Sequence, residues 1–226
     1  MKTTFKLLIL PILIFTSCTT TSELKKSTAY KGIYNEKPLT ILLMPPINKS
    51  TNVEAKEYFH STLLIPLANQ GYYVIPPFLS MLILKKESAY DAELFIDNPL
   101  TKFGEVFGAD VVLFTTIHKW NKSYGNVLVE VEYNLKSTKT NEVLFSRRGT
   151  IKYNTTVSSG TGSALLDVVL TTASTIGTKY VDVAKQCNWY TFKDMPVGKY
   201  SLQNEYEPDQ YAGNKTFTVK LNAQSR

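Results

Sequence analysis

The stretch VLVEVEYNL, residues 127–135, alternates apolar side chains with glutamate and asparagine. Because successive side chains of a β-strand point to opposite faces of its sheet, this alternation predicts a strand with one buried face and one hydrated face. The turn-forming residues 139–142 follow, and residues 143–155 predict the return strand of a hairpin. Residues 110–120, which contain the apolar run VVLFTTI, predict the strand before it. These three strands predict an antiparallel meander.

The segments before and after the meander add further strands and helices. LTILLM, residues 39–44, is a continuous apolar run that predicts a buried strand, and YYVI, residues 72–75, predicts another. Apolar residues at helical spacing predict four helices, and the tail contains a predicted final strand. The helices span residues 53–69, 78–86, 100–107 and 165–184, and the strand spans residues 215–221. This order predicts an α/β fold: a single mixed β-sheet of about five strands, with an antiparallel meander, covered by helices.

The composition indicates a folded chain with few residues suited to metal chemistry. Of 226 residues, 43% are hydrophobic and 19% are charged, which is enough for a core and argues against extensive disorder. Two histidines and two cysteines argue against a multi-ligand zinc or iron–sulfur site and against a disulfide scaffold. Part of the net charge of +6 comes from lysines near the first residue, so we expect no nucleic acid partner.

The first 17 residues have the layout of a secretory signal peptide. Lys2 and Lys6 precede an apolar run at residues 7–15, and small residues follow. The run is shorter than the roughly 20 apolar residues that a transmembrane helix needs. We therefore expect residues 1–17 to be removed.

The segment FTSC, residues 15–18, resembles the bacterial lipobox. The resemblance implies cleavage between Ser17 and Cys18 and attachment of several acyl chains to Cys18, which together anchor a protein stably to a membrane. Residue 19 is threonine rather than the aspartate that retains lipoproteins in the inner membrane, so the resemblance implies an outer-membrane location facing the periplasm. The alternative is an ordinary signal peptide with a cysteine there by chance.

Residues 18–37 are predicted to be the lipidated cysteine and a flexible, polar tether. When extended, residues 19–37 reach roughly 60 Å. Residues 38–226 are predicted to form a single periplasmic α/β domain that folds without the tether and ends in an aromatic, turn-rich extension from Trp189. Cys187 is expected to be a lone buried thiol, with pairing between chains as the alternative.

Residues that could carry catalysis are few and unpaired. His60 and His118 have no metal-spaced partner, and Glu130 and Glu132 share a strand face that is expected to be hydrated. The segment GTG, residues 160–162, lacks the remaining glycine and the strand context of a dinucleotide fingerprint. We therefore expect no enzyme activity, no cofactor, no metal and no nucleotide.

Two surface features are candidates for interaction. Positive charge on the hairpin could contact anionic lipid or polysaccharide, or could simply protect a solvated sheet edge. Its residues are Lys136, Lys139, Arg147, Arg148 and Lys152. Pro45 and Pro46 are predicted to end the first strand, and Asn48 and Lys49 follow in a polar loop. This candidate interaction loop lies beyond the carboxyl end of a strand, where α/β sheets place binding surfaces, although the prolines could also only shape a turn.

Three segments resemble a family of bacterial lipoproteins known as domain of unknown function 799. They are ILLMPPINKS at residues 41–50, LANQGYYVIP at 67–76 and FGADVVLFTTI at 107–117, and the resemblance covers residues 39–186. It implies a fold like the amino-terminal domain of TolB. Relatives with this fold form rings or dock on envelope machines, and the family has no established activity to carry over.

The sequence therefore predicts a non-enzymatic outer-membrane lipoprotein whose domain forms a homo-oligomer or joins an envelope or secretion complex. The alternative is a lipoprotein module that binds cell-wall glycan, which is suggested by 14 tyrosines and the basic hairpin. An enzyme acting on nucleotides or glycans is a third reading, without a catalytic arrangement to support it.

Overall fold

The hairpin predicted from residues 127–155 forms the middle of the sheet in the computed structural model, which describes residues 24–156, 163–165, 167–168, 171, 180–201 and 207–222. Seven strands lie in the described residues: β1 Thr40–Leu43, β2 Ile47–Asn48, β3 Tyr73–Val74, β4 Val111–Ser123, β5 Asn126–Ser137, β6 Val143–Asn154 and β7 Thr216–Asn222. The named α-helices are α1 Lys26–Ala29, α2 Lys31–Glu36, α3 Ala55–Thr62, α4 Leu64–Asn69, α5 Pro77–Lys86, α6 Thr101–Phe107 and α7 Tyr180–Phe192. Short 3₁₀-helices span Ala92–Leu94 and Glu207–Asp209.

The sheet is mixed, as predicted, and its strand order is β3-β1-β4-β5-β6-β7. β4, β5 and β6 form the predicted antiparallel meander. β1 pairs in parallel with β3 and β4, and β7 pairs in parallel with β6. β2 is an addition to the predicted strands, and it pairs with β4 beyond the end of β1.

Helices cover both faces of the sheet and create two apolar clusters. Ile41, Leu43 and Leu113 point into the larger cluster, which α3 and α7 cover, while Leu42 and Phe114 point into the smaller one under α5 and α6. In the larger cluster a buried amide joins α3 to α7: the Asn188 side chain donates to the Phe59 carbonyl and accepts from the Tyr133 hydroxyl. The smaller cluster leaves β5 uncovered, so this strand keeps the predicted hydrated face.

The segment 53–69, in which Pro66 predicts a kink or an early stop, forms two helices that meet at Leu63, because Pro66 has no N–H with which to continue the first helix. The end of α7 differs from the prediction. α7 continues to Phe192, eight residues beyond the predicted end at residue 184, because Asn188 and Phe192 extend its buried side. The aromatic extension therefore begins as helix rather than as turns.

The expectation of a flexible tether through residue 37 is wrong from residue 24 onward. α1 and α2 occupy this segment, and Tyr30 and Ile33 are 3% and 4% exposed in the larger apolar cluster. The Glu36 carboxylate also accepts hydrogen bonds from the hydroxyls of Ser137 and Thr140 at the β5–β6 turn. The segment folds because its few apolar side chains pack on a surface that distant parts of the chain form. The local sequence does not reveal that surface.

Candidate functional site

The candidate loop at Pro45 and Pro46 is a buried crossing between two strands: β1 ends at Leu43, just before the prolines, as predicted, and β2 follows them. Both prolines are buried, and pairing with β4 resumes at Ile47. The N–H groups of Met44 and Lys49 donate to β4 carbonyls on either side of the prolines. Because proline has no N–H to donate, the chain leaves the ladder for two residues and then rejoins it.

Asn48 and Lys49 have different roles in this loop. Asn48 is half-buried, and its side chain donates to the Asn52 carbonyl at 2.6 Å and accepts from the Ser50 N–H at 3.0 Å. Lys49 is exposed. A cavity of about 270 Å³ adjoins the loop; its lining includes Pro45, Pro46, Lys56, Tyr90 and Asp91. Of these two residues, Lys49 is therefore the one with an exposed side chain, and the loop borders a shallow polar cavity.

α5 carries a second candidate surface, which is apolar. This helix buries Ser80 and Leu84, while Phe78 is 79% exposed and Leu79 and Leu82 are each 51% exposed. We call these three exposed side chains the α5 face. Sequence analysis predicted the helix but missed its exposure, because a segment that is apolar on several sides normally indicates a buried helix.

A cavity of about 510 Å³ adjoins the segment that was predicted to be a tether. It opens between α2 and residues 197–199, with Lys37 and Lys199 among its lining residues. Tyr34 and Tyr72 also line it, and the Tyr72 hydroxyl donates to the Pro196 carbonyl. Lys37 ends α2 in the left-handed region at φ 47°, a conformation that is uncommon for a residue with a side chain.

Buried polar groups fasten the amino-terminal segment to the carboxyl-terminal one. The Tyr30 hydroxyl donates to Asp194 at 2.7 Å, and burial followed by this hydrogen bond raises the pKa of Tyr30. The Arg147 guanidinium donates to the Thr191 carbonyl at 2.8 Å, and Lys26 pairs with Glu207. This network was not predicted, and the spacing of Tyr30, Ile33 and Tyr34, which would share one face of a helix, is the signal that could have pointed to it.

The basic hairpin predicted at residues 136–152 does not present its charges together. Lys136 is 7% exposed and donates to the Ile96 carbonyl, and Arg147 is 6% exposed. Adjacent residues of a strand point to opposite faces, so Arg148 lies on the other face from Arg147. β6 is also not a sheet edge, because β7 pairs with it. The prediction of a charge-protected sheet edge is therefore wrong, whereas contact with anionic lipid or polysaccharide stays a prediction for the exposed Lys139, Arg148 and Lys152.

The hydrated face of β5 carries ion pairs. Glu130 accepts from Arg148, and this hydrogen bond is the main cause that lowers the pKa of Glu130. The His118 ring lies 2.8 Å from Glu132. The two glutamates thus have basic partners across the strands, a structural arrangement that leaves neither as an uncompensated acid or base.

The remaining candidate residues are isolated. Cys187 is a fully buried free thiol, and burial raises its pKa. Burial also lowers the pKa of His60. Within the described ranges, no group of three or more histidine, cysteine and acidic residues is placed to hold a metal ion, and no helix is long and apolar enough to cross a bilayer. Ser17, Cys18 and residues 160–162 lie outside the described residues.

Comparison with known proteins identifies relatives among lipoproteins. The "Putative lipoprotein NMB1124/NMB1162" of Neisseria meningitidis serogroup B is 30% identical over 96 residues, which are 42% of this chain and 44% of that relative. The chain thus matches less than half of the length of this curated relative.

Three solved structures are similar to parts of this chain. The crystal structure of lipoprotein GNA1162 from N. meningitidis is 25% identical, with a TM-score of 0.48, over 60% of this chain and 94% of that one. A PelC dodecamer from Paraburkholderia phytofirmans is 14% identical, with a TM-score of 0.44, over 68% of this chain and 86% of that one. The LpoB carboxyl-terminal domain from Escherichia coli is 14% identical, with a TM-score of 0.40, over 55% of this chain and 93% of that one.

The family model described as "Putative lipoprotein GNA1162-like" matches residues 28–195, which is most of the folded domain and more than half of the chain. The match begins inside α1 and ends just after α7, so it includes the amino-terminal segment that the structure places in the core. The chain therefore belongs to the GNA1162-like lipoprotein family.

Proposed function

We propose that this protein is an outer-membrane lipoprotein, held by acyl chains on Cys18 and facing the periplasm, whose domain works by assembling with other copies of itself rather than by catalysis. Membership of a lipoprotein family and the FTSC motif support the anchor. The relation to the domain of unknown function 799 family and to TolB stays a prediction from sequence.

The α5 face is the observation that carries the assembly proposal. Phe78, Leu79 and Leu82 form an i, i+1, i+4 set, so Phe78 and Leu82 are neighbours along one side of the helix. Fully burying a side chain of this size contributes about 1.5–3 kcal/mol. Contiguous exposed apolar surface on a folded domain commonly marks a protein interface, because water contact there is unfavourable.

The solution mass of the domain tests assembly. We expect the Cys18→Ser chain, released from the membrane, to form an oligomer in sedimentation equilibrium, and Phe78→Ser with Leu82→Ser to shift it toward the monomer. Val53→Ser is the matched control, because Val53 is 83% exposed and lies outside α5. A monomer at all concentrations that also gives no crosslink to an envelope protein through residue 78 in cells would contradict the proposal; such a crosslink would support the envelope-complex form of it.

The anchor is tested separately. We expect Cys18→Ser to abolish labelling by radioactive palmitate and to release the protein into the soluble periplasmic fraction. Membrane attachment that survives a high-salt wash in the variant would show that another segment anchors the chain.

Glycan binding is the second candidate function, and the 510 Å³ cavity is the observation that favours it. Cavities of this size accommodate small ligands, and the two lysines and two tyrosines in its lining could bind polar and apolar parts of a sugar–peptide unit. We expect purified peptidoglycan to sediment the wild-type domain and to retain less of a Lys37→Glu, Lys199→Glu variant. Equal sedimentation of the two proteins would remove this cavity as a glycan site.

A further inference from the structure

Hydrogen bonds hold the first described residues, 24–26, at a fixed place on the domain. The Leu24 carbonyl accepts from the Ala212 N–H at 2.9 Å, Lys25 bridges Tyr211, and the Lys26 N–H donates to the Gln210 carbonyl at 2.8 Å. The side chain of Lys26 adds a buried ion pair to Glu207. Residue 24 is thus held against the segment that leads into β7.

The distance from this point to Cys18 is short. Six residues of polypeptide span at most about 20 Å when fully extended, whatever path they take. The same calculation for a tether ending at residue 37 gives roughly 60 Å. If Cys18 carries the acyl chains, the surface around Leu24 therefore lies within about 20 Å of the lipid glycerol region.

The surface around this point has the composition of a membrane interface. Leu24 is 54% exposed, Tyr211 is 70% exposed, and Trp189 and Tyr190 at the end of α7 are each 36% exposed. We call these four side chains the exit surface. Tyr190 is joined to the start of β7 by a ring contact with Phe217 at 5.1 Å. The Asp194 carboxylate, just after α7, accepts from the Gly213 N–H at 2.7 Å, so α7 and the segment of Tyr211 are one unit.

Charge on this part of the molecule favours anionic headgroups. Lys193 and Lys215 are exposed and lie beside Asp194 and the start of β7. Lys25 is compensated by the exposed carboxylate of Asp209, 2.7 Å away. Tryptophan and tyrosine concentrate at the headgroup level of membranes because their rings are apolar and their N–H or O–H groups remain hydrated. Lysines near an anionic leaflet add electrostatic attraction.

We infer that the exit surface lies against the bilayer that holds the acyl chains, with Leu24, Trp189 and Tyr211 at the level of the phospholipid headgroups. This inference rests on the proposed Cys18 anchor. α7 covers the larger apolar cluster and α5 covers the smaller one on the other face of the sheet. The α5 face is therefore turned away from the bilayer, where a second copy can reach it.

Tryptophan fluorescence tests this placement, because the chain has two tryptophans and Trp120 is 3% exposed. The probe is the acylated full chain in vesicles of phosphatidylethanolamine and phosphatidylglycerol with a spin label at the headgroup. We expect the label to quench Trp189 emission and the Trp189→Phe variant to show no loss. Leu82→Trp in the Trp189→Phe background is the matched control on the α5 face, and its emission should be unaffected.

Vesicle flotation separates failure of this inference from failure of the anchor. A chain that floats with the vesicles but keeps its full Trp189 emission would overturn the placement while leaving the anchor intact. If the chain does not float, the anchor proposal fails. The Cys18→Ser chain mixed with the same vesicles then tests the placement of the exit surface separately. Quenching of Trp189 in that mixture supports the placement, and no quenching overturns it.

Discussion

The ammonium nitrogen of Lys26 lies 2.7 Å from a carboxylate oxygen of Glu207, and the two side chains are 7% and 3% exposed. This pair joins the segment that follows the FTSC motif to the segment that precedes the last strand. Both charges have lost water, so each depends on the other for compensation. The pair therefore makes the position of residues 24–26 a property of the fold.

Breaking this pair should destabilise the domain strongly. We expect Glu207→Gln to lower the free energy of unfolding by about 3–5 kcal/mol, because it leaves the Lys26 charge buried without a partner. Replacing both residues, Lys26→Met with Glu207→Met, should recover most of the loss. Urea denaturation followed by circular dichroism measures both values. The exposed pair of Lys25 and Asp209 is the matched control, and Lys25→Ala should cost less than about 1 kcal/mol.

Removing the amino-terminal segment should also weaken the core. A chain that begins at residue 38 loses Tyr30 and Ile33, each of which contributes about 1.5–3 kcal/mol through burial. A chain that begins at residue 24 retains them. We expect the shorter chain to have a clearly lower denaturation midpoint. Equal midpoints for the two chains would mean that residues 24–37 do not pack on the domain in solution.

Asp110 should make stability depend on acid pH. Its carboxylate accepts from the N–H groups of Leu39 and Thr40 at 2.9 and 3.2 Å. Burial alone would raise its pKa, but these hydrogen bonds, the Thr40 hydroxyl and Lys139 together lower it. A folded-state pKa below the unfolded one means that the stabilisation is complete above about pH 4 and is lost as the pH falls through the folded value.

The Asp110→Asn variant isolates this effect. We expect a loss of about 1–3 kcal/mol at neutral pH and a weaker dependence on pH below about 4, because the amide carries no charge to be protonated. Denaturation curves collected from pH 7 to pH 3 measure both features. Asp97→Asn, at an exposed position, should leave the curve unchanged, and an identical effect of the two substitutions would exclude Asp110 as the cause.

Alanine substitutions at two glycines with positive φ should separate the cost of backbone strain from the cost of a packing clash. Gly71 has φ 86°, and a Cβ there would lie 2.4 Å from the Ser201 nitrogen. Gly108 has φ 64°, and no atom lies within 4 Å of its Cβ position. We expect Gly108→Ala to cost about 1–2 kcal/mol from the left-handed conformation alone and Gly71→Ala to cost more. Thermal unfolding of the two variants measures the difference, and equal losses would mean that residues 198–201 do not pack on Gly71.

The two polar residues of the candidate loop should differ in their contribution to stability. Asn48→Ala removes the hydrogen bonds to Asn52 and Ser50, so we expect a loss of about 1–2 kcal/mol in thermal unfolding. Lys49→Ala should change stability by less than about 0.5 kcal/mol. If the loop also contributes to assembly, Lys49→Ala should reduce oligomer formation in sedimentation at unchanged stability. Unchanged assembly would remove the loop as an interaction site.

The sequence by itself determined the elements whose burial pattern repeats locally. The alternation at residues 127–135 predicted a strand with one hydrated face, and the apolar runs at 39–44 and 111–117 predicted buried strands, because side-chain direction along a strand has a fixed period of two. The lone, buried state of Cys187 was likewise predictable from residue type, since an unpaired thiol behaves as a small apolar side chain.

Tertiary structure alone decided which polar segments fold and which charges meet. Residues 24–37 look like a linker locally, and they become core only because Tyr30 and Ile33 find a surface completed by residues more than a hundred positions away. The hairpin charges look like one patch in sequence, but Lys136 and Arg147 are buried, and their side chains donate hydrogen bonds to the Ile96 and Thr191 carbonyls. Whether α5 is buried or exposed depends on which other elements pack on it, and no local pattern encodes that.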